Sequence, residues 1–151
     1  MNELDTSMVT SMNEMCINCP NLIQFLMSNC KADNLVSMIN MFNSCTNLNY
    51  VDFNSHGRFK PRKLTDIRNM FNWCRYITSI NMSMFDLSTV DLFGYTWGNC
   101  KALTALYLNT GFKSGATMTT NMFANVTSSG KIYYNSKYDV TQLANIIPSS
   151  W

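Results

Sequence analysis

Met70-Phe71-Asn72-Trp73-Cys74 is one of five versions of a phrase that recurs along the chain. The others are MCINC at 15–19, MFNSC at 41–45, TWGNC at 96–100 and MFANV at 122–126. Their last residues lie 26, 29, 26 and 26 positions apart. Taking that last residue as position 0, the match spreads in both directions. Position −10 holds Val9, Leu35, Leu64, Val90 and Ala116, and position −7 holds Met12, Met38, Ile67, Phe93 and Thr119. Position +3 holds Leu22, Leu48, Ile77, Leu103 and Ser129. Position +6 holds Phe25, Val51, Ile80, Leu106 and Ile132, and position +8 holds Met27, Phe53, Met82, Leu108 and Tyr134. Self-similarity at a fixed period is the signature of a repeat protein.

The spacing inside a unit predicts its structure. Apolar residues at −10, −7, −4, −3 and 0 follow the 3.6-residue period of a short helix with one buried stripe. Arg75 and Lys101 directly follow the cysteine, where a cation suits a helix C-terminus. Apolar residues at +6 and +8 alternate, as in a strand with one buried face. One helix and one strand cannot bury both faces alone, but five stacked units can. The expected fold is an α/β leucine-rich-repeat solenoid of about five ~26-residue helix–strand units with a parallel sheet. It would span residues 1–134, closed by a cap over 135–151. Within that cap Val140, Leu143, Ile146 and Ile147 have helical spacing, Pro148 stops the helix, and Trp151 can fold back.

The phrases MVTSMNEMCINCPNL, VSMINMFNSCTNLNYVDF and MFNWCRYITSINMSMFDLSTV resemble the leucine-rich repeats of BspA-like surface proteins, also grouped as the DUF285 or mycoplasma-lipoprotein repeat. MFDLSTV at 84–90 is similar to the middle of that repeat's motif, and so is LDTSMV at 4–9. The resemblance covers roughly residues 4–134. It implies a surface-exposed adhesion or host-interaction protein, with no catalytic residues to carry over.

Composition narrows the function classes. Of 151 residues, 46% are apolar and only 13% charged, against a usual ~25%. Asn, Ser and Thr number 20, 15 and 14, so the polar surface is mostly neutral. A net charge of +2 is too weak for a protein that tracks phosphates, so no nucleic acid is expected. No apolar run approaches the ~18 residues of a membrane span. The first fifteen residues, MNELDTSMVTSMNEM, carry acids where a signal peptide carries bases. The N-terminal unit opens with no strand to cover it. That points to a piece of a longer exported protein, to an end covered by another subunit, or to a bacteriophage virion component. The expected location is therefore the cell surface or a virion.

Cys19, Cys45, Cys74 and Cys100 share position 0 with Val126, which marks a small apolar core site. Helices packed roughly 8–10 Å apart hold Cα atoms beyond the ~7 Å a disulfide spans, so free buried thiols are expected. Cys16-Ile17-Asn18-Cys19 is formally a C-x-x-C, but Cys16 stands where other units have Phe42, Phe71, Trp97 and Phe123, so it reads as core. Neither metal nor cofactor is expected, nor an enzyme, because the repeat leaves no convergent polar constellation.

Function would sit on the outward positions of the strands. These are Gln24, Leu26, Tyr50, Asp52, Ser79, Asn81, Ala105, Tyr107, Lys131 and Tyr133. Tyr50, Tyr107 and Tyr133 are rigid amphipathic side chains of the kind that interfaces favour. Gln24, Asp52, Ser79 and Asn81 supply hydrogen bonds, and Lys131 a charge. The alternative is an ordinary exposed sheet face rich in β-favouring tyrosine. A three-residue insertion in the third unit carries Arg58, Lys60, Arg62 and Lys63. It reads as an anion or acidic-partner contact, or simply as a solvated loop. Two functions follow as expectations. One is a non-catalytic recognition or adhesion module binding a protein or glycan through the sheet face. The other is a structural subunit of a virion or other assembly, with neighbouring subunits as partners.

Overall fold

The computed structural model describes the whole chain except residues 1–4, 28, 54, 110, 114, 117–119, 138–142, 144 and 145. Its regular elements are five three-residue strands: β1 (Gln24–Leu26), β2 (Tyr50–Asp52), β3 (Ser79–Asn81), β4 (Ala105–Tyr107) and β5 (Lys131–Tyr133). Each occupies positions +5 to +7 of its unit, where the alternation placed a strand. All pairing is parallel, in a two-stranded sheet β1–β2 and a three-stranded sheet β3–β4–β5. The register keeps equivalent positions opposite one another: Phe25 faces Val51, and Ile80 faces Leu106, which faces Ile132. A second parallel line runs through position −8, linking Ser11 to Ser37, Ser37 to Asp66 and Asp66 to Leu92. It carries the stacking across the gap between β2 and β3, where the insertion falls.

The expected helices do not form. Among the described residues there is no α-helix, only brief 3-10 turns such as Leu87–Thr89 and Thr120–Phe123. The expected α/β leucine-rich-repeat solenoid of helix–strand units with one parallel sheet is overturned by this and by the two small sheets. In the first four units each supposed helix is a run of tight turns. Its amides donate to the next unit instead of back along their own segment. Ile67, Asn69, Phe71 and Trp73 donate to the carbonyls of Leu92, Gly94, Thr96 and Gly98, at 2.9–3.1 Å. Met38, Asn40, Phe42 and Ser44 donate likewise to Asp66, Arg68, Met70 and Asn72. A helix would need those same donors for its i→i−4 bonds. Between them, three-residue turns close within the unit, as from Cys74 N to Phe71 O at 3.0 Å.

The turns depend on left-handed residues at two fixed positions. Glu14, Asn40, Asn69 and Tyr95 at −5, and Asn18, Ser44, Trp73, Asn99 and Asn125 at −1, all have φ between 55° and 67°. Asn is the residue other than glycine that most readily accepts this conformation, and it fills five of the nine. Turning the chain every three or four residues aims positions −10, −7, −4, −3 and 0 inward, just as a helix would. Arg75 therefore caps no helix; its guanidinium lies 4.8 Å above the Trp73 ring.

The core runs along the stack. Leu35, Met38, Met41, Phe42, Cys45 and Leu48 are sealed from solvent, as are Leu64, Ile67, Met70, Phe71, Cys74 and Ile77. Each such side chain contributes about 1.5–3 kcal/mol. Rings at position −3 stack unit on unit, Phe42 on Phe71 at 5.4 Å and Trp97 on Phe123 at 5.0 Å. The insertion is not a free loop. Phe59 is fully buried between Phe53 (5.2 Å) and Phe85 (5.6 Å).

At the C-terminal end Trp151 folds back as expected. Its ring lies 5.7 Å from Phe123 and its Nε1 donates to Ser128 O at 2.8 Å. Gly130 permits this approach, since a Cβ there would stand 2.6 Å from the indole. The helical segment expected over 138–147 falls largely outside the described residues. Leu143 is buried, and Ile146 and Ile147 follow it in a turn.

Candidate functional site

Parallel pairing in equivalent register turns each outward position into a column along the stack. Gln24 pairs Tyr50, and Ser79 pairs Ala105, which pairs Lys131. Beside them Leu26 pairs Asp52, and Asn81 pairs Tyr107, which pairs Tyr133. Most of these side chains are exposed. Asn81 and Ala105 are half-buried and Asp52 is buried.

Tyr107 and Tyr133 form the most ordered feature of the face. Their rings stack at 4.7 Å with planes 10° apart, yet each ring stays more than a third exposed. Neighbouring strands sit ~4.8 Å apart, so the strand spacing itself fits ring on ring. Tyr50 does not join them. It belongs to the other column and the other sheet, so the three tyrosines are not one ladder. An open hollow nonetheless brings Tyr50, Ser79, Asn81 and Tyr107 to a common rim.

Asp52 serves the turn that follows it. Its carboxylate accepts from the Ser55 amide at 3.0 Å and from the Ser55 hydroxyl. It lines the hollow beside Tyr50 and Ser79. The basic residues of the insertion part company. Lys63 Nζ donates to Asn34 Oδ1 at 2.7 Å, and Arg58 is exposed with partners of its own. Lys60 and Arg62 line a second open hollow with Ser83, Met84, Phe85, Asp86 and Asn109. Buried Phe59 and Pro61 hold that part of the loop in place.

A third hollow has walls from Asn81, Ser83, Tyr107, Asn109, Tyr133, Tyr134 and Asn135. The sequence reading did not single out Ser83, Asn109 and Asn135. They share position +9, which reads Ser or Asn in all five units, a signal as regular as the apolar ones. Tyr134 was expected in the core at +8 and is exposed instead.

The thiols are free, as expected. Cys45, Cys74 and Cys100 are fully buried. Their Sγ atoms donate to the carbonyls of Cys16, Phe42 and Phe71 in the preceding unit, at 2.9, 3.2 and 3.1 Å. Burial pushes the Cys45 thiol up to about 11 and raises Cys74 and Cys100 as well. These are inert core groups, not nucleophiles. Cys19 departs from the expectation of burial: it is exposed and bonds weakly to Ile17 O. Among the described residues no group of three or more His, Cys, Asp or Glu could hold a metal ion. Nor is any described helix long and apolar enough to cross a membrane.

Residues 1–110 and 50–147 match the model of a family described as Mycoplasma protein of unknown function, DUF285. Neither a curated protein nor a solved structure matches the chain.

Proposed function

This chain belongs to the DUF285 family, and we propose that it is a non-catalytic recognition module of surface type. It binds a protein or glycan through the face of β1–β5. The observation that carries this reading is the stacked Tyr107–Tyr133 pair, exposed and flanked by Asn81, Asn109 and Asn135. Rigid rings lose little conformational entropy on binding, and adjacent amides supply orientation. The test replaces Tyr107 and Tyr133 together by Ala and measures binding to cells or matrix that the native chain coats. The fold should survive, because exposed rings contribute only about 0.5–1.5 kcal/mol through their stacking. Loss of at least tenfold in binding supports the reading; unchanged binding rejects the site.

A second reading, a structural subunit of a virion or other assembly, draws on the first unit. Met8, Met15, Ile23 and Leu26 of the first unit are exposed, Met8 at 80% and Leu26 at 66%. Large apolar side chains left in water are what a neighbouring subunit would cover. Light scattering across a hundredfold concentration range separates the two. A recognition module stays monomeric, and an assembly subunit associates.

A further inference from the structure

The three open hollows are one trough. The hollow at Tyr50 shares Asn81 and Tyr107 with the middle one, which in turn shares Ser83 and Asn109 with the hollow of the basic loop. A single surface thus leads from Tyr50, over the stacked tyrosines, to Lys60 and Arg62. We infer that this trough takes an acidic polysaccharide, a linear chain of sugars bearing carboxylate or sulfate groups. The inference rests on the recognition reading above and extends it to a class of ligand.

Three observations favour that occupant. The first is charge. Lys60 and Arg62 form no hydrogen bond or ion pair with a described residue. Asp86 lines the same hollow but is turned to its own chain, its Oδ1 accepting from the Ser88 amide and hydroxyl at 3.1 and 2.5 Å, so it makes no ion pair with either cation. Lys131 adds a further exposed cation to the sheet face. Lys60 and Arg62 outweigh Asp86 by one positive charge at their end, the middle hollow has no charged lining residue, and Asp52 is the charged residue lining the Tyr50 end, so an anionic group is best placed at Lys60 and Arg62. The second is chemistry. The middle offers amides, a hydroxyl and phenol rings from Asn81, Ser83, Asn109, Asn135, Tyr107 and Tyr133. These groups hydrogen-bond sugar hydroxyls and pack against sugar rings. The third is periodicity. Ser83, Asn109 and Asn135 recur two residues past the parallel strands β3, β4 and β5, whose spacing is ~4.8 Å, and a row of similar polar groups fits a polymer of like units better than a peptide of varied side chains.

Fluorescence titration of the full chain tests this with four probes: hyaluronate, heparin, neutral dextran and poly-glutamate. Hyaluronate or heparin should bind, and binding should weaken as salt rises. Replacing Lys60 and Arg62 by Gln should weaken it roughly 2- to 30-fold, the range for two exposed ion pairs. Tyr107→Ala with Tyr133→Ala should weaken it about tenfold, while Tyr107→Phe with Tyr133→Phe, which keeps the stack, should weaken it less. Failure of both acidic glycans to bind overturns the inference, and so does equal binding of poly-glutamate, which would mean charge alone. Dextran binding that is lost in the Tyr→Ala pair but untouched in the Lys60→Gln, Arg62→Gln pair overturns it too, yet leaves the recognition reading standing. Binding indifferent to the tyrosines overturns both.

Discussion

The buried thiols make the stability of this chain fall steeply in alkali. Cys45 has no exposed surface, and its thiol is pushed from 9.0 to about 11 by desolvation. The folded chain keeps that thiol neutral to about pH 11, while the unfolded chain ionises it above 9.0. The unfolded state sheds its proton first, so stability is whole below pH 9 and drains as pH rises through that window. Two units at about 1.4 kcal/mol each come to about 2.7 kcal/mol from Cys45 alone. Cys74 and Cys100 shift in the same direction for the same cause. A domain of this size has about 5–15 kcal/mol in total, so the loss is large. The assay is urea unfolding under reductant at half-unit steps from pH 7 to 11, on the native chain and on Cys45→Val. Valine suits the site because Val126 fills it in the fifth unit. The two proteins differ only at residue 45, so the difference between the curves belongs to Cys45. The gap should close by about 2–3 kcal/mol in favour of the variant by pH 11. Parallel curves would refute the claim that this thiol is held neutral by burial.

Other substitutions probe the packing. Trp97 is fully buried and its Nε1 has no hydrogen-bond partner. Trp97→Phe relieves an orphan donor worth about 1–3 kcal/mol, so it should change stability by less than about 1 kcal/mol, whereas Trp97→Ala should cost about 3–5 kcal/mol. Thermal unfolding of the two variants checks both numbers. Asn69 has φ 57°. Replacing it with Ala should cost about 1–2 kcal/mol, and Gly should be tolerated nearly as well as Asn; the reverse order in urea midpoints would contradict the left-handed turn. Phe59→Ala should cost about 3–5 kcal/mol although it lies in the insertion. A cost below 1 kcal/mol would mean the loop is not anchored by that ring.

Much of the architecture was written in the repeat itself. Positions +5 to +7 became strands, and Met38, Phe42, Cys45 and Leu48 became core, because an apolar residue at a fixed place in every unit has to face its neighbours. The helix was misread because inward spacing of three and four residues does not say where the amides go. Asn40, Asn69 and Asn99 held that information: a recurring Asn at −5 or −1 calls for positive φ, which ends a helix. Phe59 was masked by the basic residues around it, since charge draws the eye to solvent. The site was half legible. Tyr107 and Tyr133 could be placed on one column from their shared position. The union of that column with Lys60 and Arg62 depends on how an insertion folds against the next two units, and no periodic signal records that.

Everything rests on amides of one unit bonding to carbonyls of the next. Scalar coupling across hydrogen bonds, measured by NMR on labelled protein, reads those partners directly. The Phe71 amide should couple to the Thr96 carbonyl, and the Asn69 amide to that of Gly94. Coupling of the Phe71 amide to Ile67 instead, four residues back, would restore the helix and contradict the account.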